Sequence, residues 1–254
     1  MTLPRLPSFR LDGRCALVAG ASSGIGAAAA AALAGQGAHV VCAARRADRL
    51  AAVVAELAAR GQSAEALPLD IADLAATQTA LASRPAFDIV VNAAGLARHT
   101  PATDTTPADF DAVMAVNLRA AYFLSTAAAR AMIAARRPGS IVHISSQMGH
   151  VGGVERAVYC ASKHGLEGMT KAMAIEWGRH GIRVNTLCPT FIRTPLTEGT
   201  FASPDRVRWI EEKIKLGRTG TVEDIMGAVV YLASDASALV TGSALMVDGG
   251  WTAD

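Results

Sequence analysis

The stretch "CALVAGASSGIG", residues 15–26, joins an apolar run to a glycine-rich turn and predicts how the chain begins to fold. The run "CALVAG" predicts a buried strand, and "GIGAAAAAALAGQG" predicts a helix closed by glycine. Gly20, Gly24 and Gly26 allow a tight turn and a close approach of a pyrophosphate to the helix N-terminus, whose free N–H groups attract phosphates. The spacing differs from the commoner G-x-G-x-x-G fingerprint, so a plain connecting loop with packing glycines is the alternative.

Outward from this turn, apolar runs and helical patterns alternate to the end of the chain. Further strands are predicted at "AHVVCAA", "SAEALPLD", "FDIVVNAAG", "GSIVHISS", "GIRVNTLCP" and "ALMVDGG". Helices are predicted near 47–61, 73–83, 107–136, 157–179 and 222–234, and Ser203 before Pro204 marks another helix start. Because the strands are continuous apolar runs, the pattern predicts an α/β fold with a doubly wound parallel sheet covered by helices on both faces. We expect one domain, residues 1–254.

Composition excludes several classes of function. The 254 residues are 51% hydrophobic and 18% charged, with a net charge of +2, so a large core is expected and neither nucleic acid nor an anionic membrane is an expected partner. The N-terminus lacks the apolar segment of a signal peptide, and the stretch from Ile25 to Ala34 is too short to span a bilayer. The four cysteines form no CxxC or Cys/His pattern, so we expect reduced thiols, no metal site and a cytoplasmic location. His39, His99, His143, His164 and His180 are interpreted as structural or surface residues.

The end of the second strand bears on the choice of dinucleotide. In such folds an acidic residue at this point usually binds the adenosine ribose. Here the strand ends "CAARR", with Ala44, Arg45 and Arg46 and no acid. A guanidinium group at Arg45 suits a 2′-phosphate, so NADP(H) is favoured and NAD(H) stays possible. Arg46 is either a second phosphate ligand or the solvated start of the next helix.

The stretch "YCASK" (159–163) places a phenol and an ammonium group four residues apart. On a helix, Tyr159 and Lys163 share one face. A solvated polar face would explain this pair, but a nearby cation also favours the phenolate of tyrosine and lowers its pKa. A phenol with a lowered pKa is suited to acid–base catalysis near neutral pH. The spacing alone leaves both interpretations open.

Taken together, the motifs resemble those of the classical short-chain dehydrogenase/reductases over almost the whole chain. The matching segments are "AGASSGIG" (19–26), "NAAG" (92–95), Asn117 in "VNL", "ISS" (144–146), "YCASK" and "CPTFIRTPL" (188–196). They occur in the order of the family and near its spacings. The resemblance implies a Rossmann-type sheet of about seven strands, a nicotinamide cofactor and a homotetramer. Ala19, Ala93 and Thr190 depart from the usual family pattern, and Thr190 is expected to narrow the nicotinamide end of the pocket.

The resemblance also implies a role for each matching residue. Tyr159 would exchange a proton with the substrate oxygen, and Lys163 would lower the pKa of the phenol and hold the nicotinamide ribose. Ser146 would bind the reacting oxygen, and Asn117 would hold a water in a proton relay. The expected cofactor residues, in addition to Tyr159 and Lys163, are Gly20, Ser22, Ser23, Gly24, Ile25, Gly26, Arg45, Arg46, Asp70, Ile71, Asn92, Ala93, Gly95, Pro189, Ile192 and Thr194.

The substrate is indicated less directly. The loop "QMGHVGGVERAV" between Ser146 and Tyr159 borders the substrate in this family, and here it is polar. His150 and Arg156 are therefore candidate substrate residues, together with Ser146 and Tyr159. A substrate lid is expected at about 190–218, and its cationic residues are Arg193, Arg206, Arg208, Lys213 and Lys215. We expect a secondary alcohol or ketone on a small polar molecule such as a sugar acid. The alternatives are a 3-oxoacyl-[acyl-carrier-protein] reductase and a protein that only senses dinucleotides.

Overall fold

The computed structural model describes residues 2–253, and one seven-stranded sheet runs through them. The order is β3-β2-β1-β4-β5-β6-β7, with every neighbouring pair parallel. The strands are β1 (Cys15–Ala19), β2 (His39–Ala44), β3 (Ala64–Pro68), β4 (Ile89–Asn92), β5 (Gly139–Ile144), β6 (Ile182–Pro189) and β7 (Ala244–Val247). The predicted parallel α/β sheet is thus confirmed.

The helices that cover the sheet follow the predicted alternation. They are α1 (Gly24–Gly35), α2 (Ala47–Ala59), α3 (Leu74–Ala82), α4 (Pro107–Met114), α5 (Ala121–Ala134), α6 (Ala157–Trp177), α7 (Glu198–Phe201), α8 (Pro204–Lys213) and α9 (Glu223–Ala233). Two apolar clusters lie on opposite faces of the sheet. Leu33 and Val229 belong to one cluster, and Leu124 and Met173 belong to the other. The continuous apolar strands arise because both of their faces are buried.

The long helical stretch predicted at 107–136 contains an irregularity that the sequence pattern did not show. A π-helical segment, Ala115–Ala120, connects α4 to α5. Such segments are rare and often mark functional sites. This continuous helix, Pro107–Ala134, is long and apolar enough to cross a membrane by length and composition alone, but 44% of its most apolar window is buried inside the protein. The packing of α5 in the core accounts for this apolar composition.

The segment expected to form the lid, 190–218, carries the short helices α7 and α8. The predicted cap of α8 is present, because Ser203 Oγ accepts a hydrogen bond from the backbone N–H of Arg206 at 3.4 Å. The fully buried Ile210 joins α8 to a small apolar cluster that includes Met148 and Phe191. This cluster links the segment to the loop after Ser146, so α8 lies beside the expected substrate region.

Candidate active site

The order of the strands places one crevice at the carboxyl edge of the sheet. The chain proceeds outward from β1 to β2 and β3, and then returns to the other side of β1 with β4. Open parallel sheets bind their ligands where the order reverses, outside the carboxyl ends of the strands. A cavity of about 660 Å³ opens there. Its lining comes from the ends of β1, β2, β4, β5 and β6 and from the loops that follow them.

The glycine-rich turn forms one wall of this cavity and has the backbone that glycine requires. Gly20 has a φ of +82°, and a side chain there would meet the backbone N of Ala94 at 2.7 Å. A Cβ atom at Gly26 would lie 2.2 Å from Gly20 O. These positions leave the N-terminus of α1 open toward the cavity. The turn therefore fits a pyrophosphate, whose charge the helix dipole and free N–H groups favour.

The two arginines after β2 occupy different environments. Arg46 Nη2 donates hydrogen bonds to Ser22 Oγ at 3.0 Å and to Ser23 Oγ at 3.2 Å. Arg45 is also exposed, and its Nη1 atom lies 3.9 Å from a carboxylate oxygen of Asp70. Arg46 is thus held against the glycine-rich turn, although the sequence analysis gave more weight to Arg45. The guanidinium group of Arg46 and the two hydroxyl groups form a cationic, hydrogen-bonding patch at the adenosine end of the cavity.

Helix α6 brings the predicted catalytic pair to the floor of the cavity. Tyr159 and Lys163 both line it, and Lys163 Nζ lies 5.6 Å from the centre of the Tyr159 ring. The amine donates a 2.9 Å hydrogen bond to the carbonyl oxygen of Ile144 at the end of β5. Ser146, two residues beyond this carbonyl, also lines the cavity. One turn of α6 and the end of β5 therefore place three polar side chains together.

The surroundings of Tyr159 shift its pKa in the direction opposite to the one expected from the sequence. Burial raises the pKa of Tyr159 above its usual value, while a hydrogen bond with Ser146 acts in the opposite direction. Burial also lowers the pKa of Lys163 to about 8. The pKa of the phenol is thus shifted upward, because desolvation by burial outweighs the hydrogen bond with Ser146. A lowering of this pKa by Lys163 stays a prediction. A phenol with a raised pKa is protonated at neutral pH, which suits a general acid.

The π-helical segment explains how Asn117 reaches the site. This residue is buried, and its Nδ2 donates to Leu96 O at 2.9 Å and to Ser162 Oγ at 3.1 Å. Ser162 Oγ in turn donates to Tyr159 O at 2.7 Å. Asn117 thus connects the loop after β4 to the turn of α6 that carries the tyrosine. Its side chain positions the site from behind and does not line the cavity.

The loop after β6 closes the other end of the cavity. Pro189, Ile192 and Thr194 line it as expected, together with Thr190. The hydroxyl oxygen of Thr190 is buried without a hydrogen-bond partner in the protein. A buried polar atom without a partner is costly, and a bound amide group would satisfy it. Both ends of the cavity therefore fit a nicotinamide dinucleotide, with the phosphates at Gly20 and the carboxamide near Thr190.

Most residues predicted for the site come together, and four lie outside the cavity lining. Asn92 and Asn117 lie behind the lining, where Asn92 Oδ1 accepts a hydrogen bond from the backbone N–H of Ala94. His150 faces β6, because its Nε2 is 3.6 Å from Cys188 Sγ. The roles of His150 and Arg156 in substrate binding stay predictions. The predicted residues that line the cavity are Gly20, Ser22, Ser23, Gly24, Ile25, Gly26, Arg45, Arg46, Asp70, Ile71, Ala93, Gly95, Ser146, Tyr159, Lys163, Pro189, Ile192 and Thr194.

Arg156 belongs to a cationic group that reaches the tyrosine through His99. An Nη1 atom of Arg156 lies 2.5 Å from His99 Nε2, and its guanidinium carbon lies 5.4 Å from the Phe191 ring centre. The His99 ring meets the Tyr159 ring edge-on at 6.3 Å. Burial, and then the charge of Arg156, lower the pKa of His99 to about 4, so this imidazole is neutral. His99 was interpreted from the sequence as a structural or surface residue, because no motif surrounds it.

The sequence analysis missed Thr197. Its Oγ1 donates to Ile192 O at 2.6 Å and accepts from the backbone N–H of Thr194 at 3.0 Å. Thr197 thus holds the turn that forms the nicotinamide end of the cavity. The available signal was the pair Thr194 and Thr197, three residues apart with Pro195 between them, since threonine hydroxyl groups and proline often stabilise turns.

The cations of the expected lid are mostly occupied by local partners. Arg206 lies 3.7 Å from Glu155, and Arg208 lies 3.6 Å from Asp205. The guanidinium carbon of Arg193 lies 4.4 Å from the Phe201 ring centre. Arg156 differs from these cations, because its charge favours a lower pKa of Tyr159, although burial outweighs this effect.

Comparisons with known proteins agree with this geometry. A family model described as enoyl-(acyl carrier protein) reductase matches residues 20–252. A D-threitol dehydrogenase of Mycolicibacterium smegmatis is 39% identical over 96% of this chain and 95% of its own length. A gluconate 5-dehydrogenase of Gluconobacter oxydans is 38% identical over 96% of each chain.

Solved structures extend the comparison to the fold. An NADP-bound structure from Agrobacterium tumefaciens is 43% identical, with a TM-score of 0.93 over 97% of this chain and 99% of its own. A gluconate 5-dehydrogenase from Burkholderia cenocepacia, in complex with NADP and tartrate, is 35% identical with a TM-score of 0.94 over 98% and 99%. With its seven-stranded sheet and Tyr159–Lys163 pair, the chain belongs to the classical short-chain dehydrogenase/reductase family and is an oxidoreductase acting on CH–OH groups.

Proposed function

We propose that this enzyme interconverts a secondary hydroxyl group and a ketone on a small sugar acid, with NADP(H) as the preferred cofactor. The observation that carries the proposal is the position of Tyr159, Lys163 and Ser146 at the floor of a cavity whose other wall is the glycine-rich turn. The cationic group of Arg156 and His99 lies beside the same tyrosine. A hydroxy acid would then meet an acid–base group and a cation together.

In the proposed mechanism, the chain's own residues move the proton. A nicotinamide held by the residues of the cavity would supply the hydride chemistry. During ketone reduction, negative charge develops on the substrate oxygen, and the protonated phenol of Tyr159 donates its proton there. Ser146 Oγ donates a hydrogen bond to the same oxygen as the charge grows. To do so its hydroxyl hydrogen must leave Gln147 Oε1, to which it now donates at 2.9 Å.

Lys163 supports the proton transfer from Tyr159 through its positive charge. Its ammonium group is fixed by the 2.9 Å bond to Ile144 O, so it keeps its position near the phenol. As Tyr159 loses its proton, the positive charge of Lys163 stabilises the phenolate. Because burial brings the pKa of Lys163 to about 8, the amine is charged at neutral pH and also able to exchange protons there. Asn117 anchors this arrangement through Ser162.

The proposed substrate class rests on charge and size. Arg156 is a permanent cation in a half-buried position, where a carboxylate would pair with it more strongly than in bulk water. Relatives with full-length similarity are named as gluconate, threitol and xylulose enzymes, so small polyols and sugar acids are the common chemistry. Arg156 favours the acids among them. Polar side chains near Tyr159 disfavour a steroid or free lipid.

The preference for NADP rests on Arg46 and on the lack of an acidic residue at the end of β2. A carboxylate after β2 would repel a 2′-phosphate, and Ala44 stands there. Arg46 is held by Ser22 and Ser23 with its charge toward the cavity. Three of the solved relatives contain bound NADP. These features together favour NADP(H) over NAD(H).

The proposal includes a homotetramer in the cytoplasm. Helices α4, α5 and α6 and the π segment form an apolar groove of about 850 Å³, lined in part by Leu118, Tyr122, Met169 and Trp177. An apolar groove of this size would be covered by a second copy of the chain in the assembly that the family resemblance implies. The cytoplasmic location rests on the reduced state expected for the four cysteines, which are all unpaired.

The competing functions make different demands on the site. A 3-oxoacyl-[acyl-carrier-protein] reductase would use free lid cations to bind an acidic carrier, but Arg206 and Arg208 already have acidic partners. A protein that only senses dinucleotides would have no use for a buried lysine beside a tyrosine. We therefore rank both alternatives below the sugar-acid enzyme.

A substrate panel tests the proposal. Purified protein would be assayed by NADPH absorbance with aldonates, keto acids, neutral polyols, ketoses, apolar ketones and a carrier-bound 3-oxoacyl substrate, each with NADP(H) and NAD(H). We expect the highest kcat/KM for a sugar acid with NADP(H). Arg156→Met should raise KM for that acid by about tenfold, the value of one charge-assisted hydrogen bond. The same variant should leave KM for a neutral polyol within about twofold.

Arg208→Met serves as the matched control, since Arg208 is an exposed arginine paired with Asp205. Activity confined to apolar ketones or to carrier-bound substrates would overturn the proposed substrate class. An equal rise in KM for acids and neutral polyols in Arg156→Met would show that Arg156 does not bind the substrate carboxylate.

A further inference from the structure

Three side chains from separate parts of the chain converge beneath the loop that follows Ser146. They are His150 in that loop, Glu167 in the middle of α6 and Cys188 in β6. Cys188 Sγ lies 3.6 Å from His150 Nε2 and 3.4 Å from Glu167 Oε1. The third side of the triangle, from His150 Nε2 to Glu167 Oε1, is 3.7 Å. Each side chain thus presents one potential metal-ligand atom to the same point.

These separations are those of ligand atoms around a tetrahedral metal. Zinc binds sulfur at about 2.3 Å and nitrogen or oxygen at about 2.0–2.2 Å, which places neighbouring ligand atoms about 3.3–3.6 Å apart. The observed range is 3.4–3.7 Å. A metal would therefore need almost no movement of the three side chains. Thiolate, imidazole and carboxylate are also the three ligand types that zinc uses.

The same geometry excludes a cysteine nucleophile. In a Cys–His–acid triad, the thiol and the acid contact opposite nitrogens of the imidazole. Here Cys188 and Glu167 both face His150 Nε2. Burial raises the pKa of Cys188 to about 12, so the free thiol carries its proton and is unreactive. A metal requires ligand atoms that surround one point, as these three atoms do. In a catalytic triad the thiol and the acid instead contact different nitrogens of the imidazole.

Residues around the cluster orient Glu167 and leave space for a fourth ligand. Glu167 Oε2 accepts a 2.7 Å hydrogen bond from Thr186 Oγ1, which orients the carboxylate and leaves Oε1 for a metal. Ser145 Oγ is buried without a hydrogen-bond partner. A Cβ atom at Gly149 would lie 3.2 Å from Ser145 Oγ and 3.3 Å from Glu167 Oε1. Glycine thus keeps open the space between the carboxylate and the unpartnered hydroxyl, which suits a fourth ligand or a water.

We propose that His150, Glu167 and Cys188 form a binding site for a divalent transition metal of the zinc type, independent of the dinucleotide cavity. Binding forms a metal–sulfur bond and releases the thiol proton of Cys188 to solvent, with no change of oxidation state. His150 binds as neutral imidazole and Glu167 as carboxylate. The metal joins the loop after Ser146 to α6 and β6. It therefore stabilises the folded protein by its binding free energy.

Cobalt(II) is the probe for this site, because thiolate ligation gives it a charge-transfer absorption and tetrahedral geometry gives it intense visible bands. The full chain, stripped with EDTA, would be titrated with Co²⁺ and then with Zn²⁺. We expect one equivalent of Co²⁺ with both spectral features, displacement by Zn²⁺, and a metal-dependent rise in Tm. Cys188→Ala should lose the charge-transfer band, and His150→Ala should weaken Co²⁺ affinity by at least about tenfold.

Cys15→Ala is the matched control, because this half-buried thiol lies outside the cluster. It should keep the full Co²⁺ spectrum. The His150 variant changes a partly exposed side chain on a loop, so it can be measured even where Cys188→Ala does not fold. Absence of a thiolate band in the unmodified protein, or a spectrum unchanged by His150→Ala, would overturn the proposal.

Discussion

Helix α6 contributes to two concave regions within residues 2–253. The cavity at the carboxyl edge of the sheet has a volume of about 660 Å³ and contains glycines, hydroxyl groups and cations, with Tyr159 and Lys163 from the first turns of the helix. The groove beside α4 and α5 is larger, at about 850 Å³, and is lined mainly by apolar side chains such as Met169 and Trp177 from the later turns. The chemistry of the lining, and not its volume, therefore distinguishes the candidate active site.

The difference between the two regions follows from the backbone. Strand ends and helix N-termini meet at the carboxyl edge, so backbone N–H groups are available there for an anionic ligand. In the groove, the backbone groups are paired within the helices, and only side chains face outward. Such a surface gains free energy mainly by excluding water from apolar area, which suits a protein partner. Substitutions in each region should accordingly affect different properties.

Replacement of the tyrosine should have the largest effect. Tyr159→Phe removes the proton donor and leaves the ring, so kcat is expected to fall by about 10²–10⁴-fold, the usual contribution of a general acid–base group. The Kd for NADPH, measured by fluorescence titration, should change by less than about threefold. Turnover retained within tenfold would show that the cavity is not the catalytic region.

Replacement of Lys163 should change both kcat and the pH dependence of the unfolding free energy, and the two effects can be measured separately. Burial lowers the pKa of Lys163 from 10.5 to about 8, so the folded state carries the charged amine at a cost of about 3 kcal/mol at neutral pH. Between pH 8 and 10.5 the unfolded chain holds a proton that the folded chain has lost. The contribution of Lys163 to the unfolding free energy should therefore rise with pH across this window. It is measured as the difference between the unmodified protein and Lys163→Met, because the raised pKa values of buried thiols such as Cys42 and Cys188 change stability in the opposite direction in both proteins.

Lys163→Met should lose this rise and reduce kcat by about 10²-fold. Urea unfolding at a series of pH values measures the first effect and steady-state assays measure the second. An equal pH dependence in both proteins would contradict the assignment of a buried, charged amine.

Arg46 should show how the polar cavity selects its cofactor. Arg46→Ala removes the guanidinium group held by Ser22 and Ser23, and the Kd for NADPH should rise about tenfold or more, since one charge-assisted hydrogen bond contributes about 1.5–3 kcal/mol. The Kd for NADH should change little. Arg49→Ala, an exposed arginine on α2 outside the cavity lining, is the control. A larger rise in the Kd for NADPH with Arg45→Ala than with Arg46→Ala would assign recognition of the 2′-phosphate to Arg45.

The groove should give the smallest effect on chemistry. Tyr122 is 45% exposed in the groove, and Tyr122→Glu should reduce the oligomeric mass measured by light scattering while kcat per chain changes less than about threefold. Leu239→Glu changes an apolar residue that is 99% exposed and outside the groove, so it should leave the mass unchanged. Identical masses for all three proteins would contradict a role of the groove in assembly.

Much of the fold could be predicted from local patterns. The seven strands and the main helices appear within a few residues of their predicted bounds, because apolar runs, caps and glycines act over short distances. The π segment at Ala115–Ala120 was not predicted, since a π turn has no distinct composition. The local patterns also did not give the order of the strands in the sheet, because that order depends on pairing between distant parts of the chain.

For the site, sequence motifs identified side chains but not their partners. The sequence favoured Arg45 as the ligand of a 2′-phosphate and did not show that Arg46 contacts Ser22, because the direction of a side chain at a helix start depends on the turn it packs against. His99 reached Tyr159 through a loop with no motif. Burial shifts the pKa of the phenol upward, against the direction expected from Lys163, and the sequence could not show this because desolvation depends on burial in three dimensions.

The sequence by itself determined the alternation of strands and helices, the glycine-rich turn and the Tyr159–Lys163 pair, since each is written within a few consecutive residues. Only the tertiary structure decided which groups meet across the sheet: Arg46 with Ser22, and His150 with Glu167 and Cys188. The physical reason is that spacing along a chain fixes geometry within one turn or one strand. Contacts between elements depend on how their buried faces pack, and burial also sets the charge of the groups enclosed there.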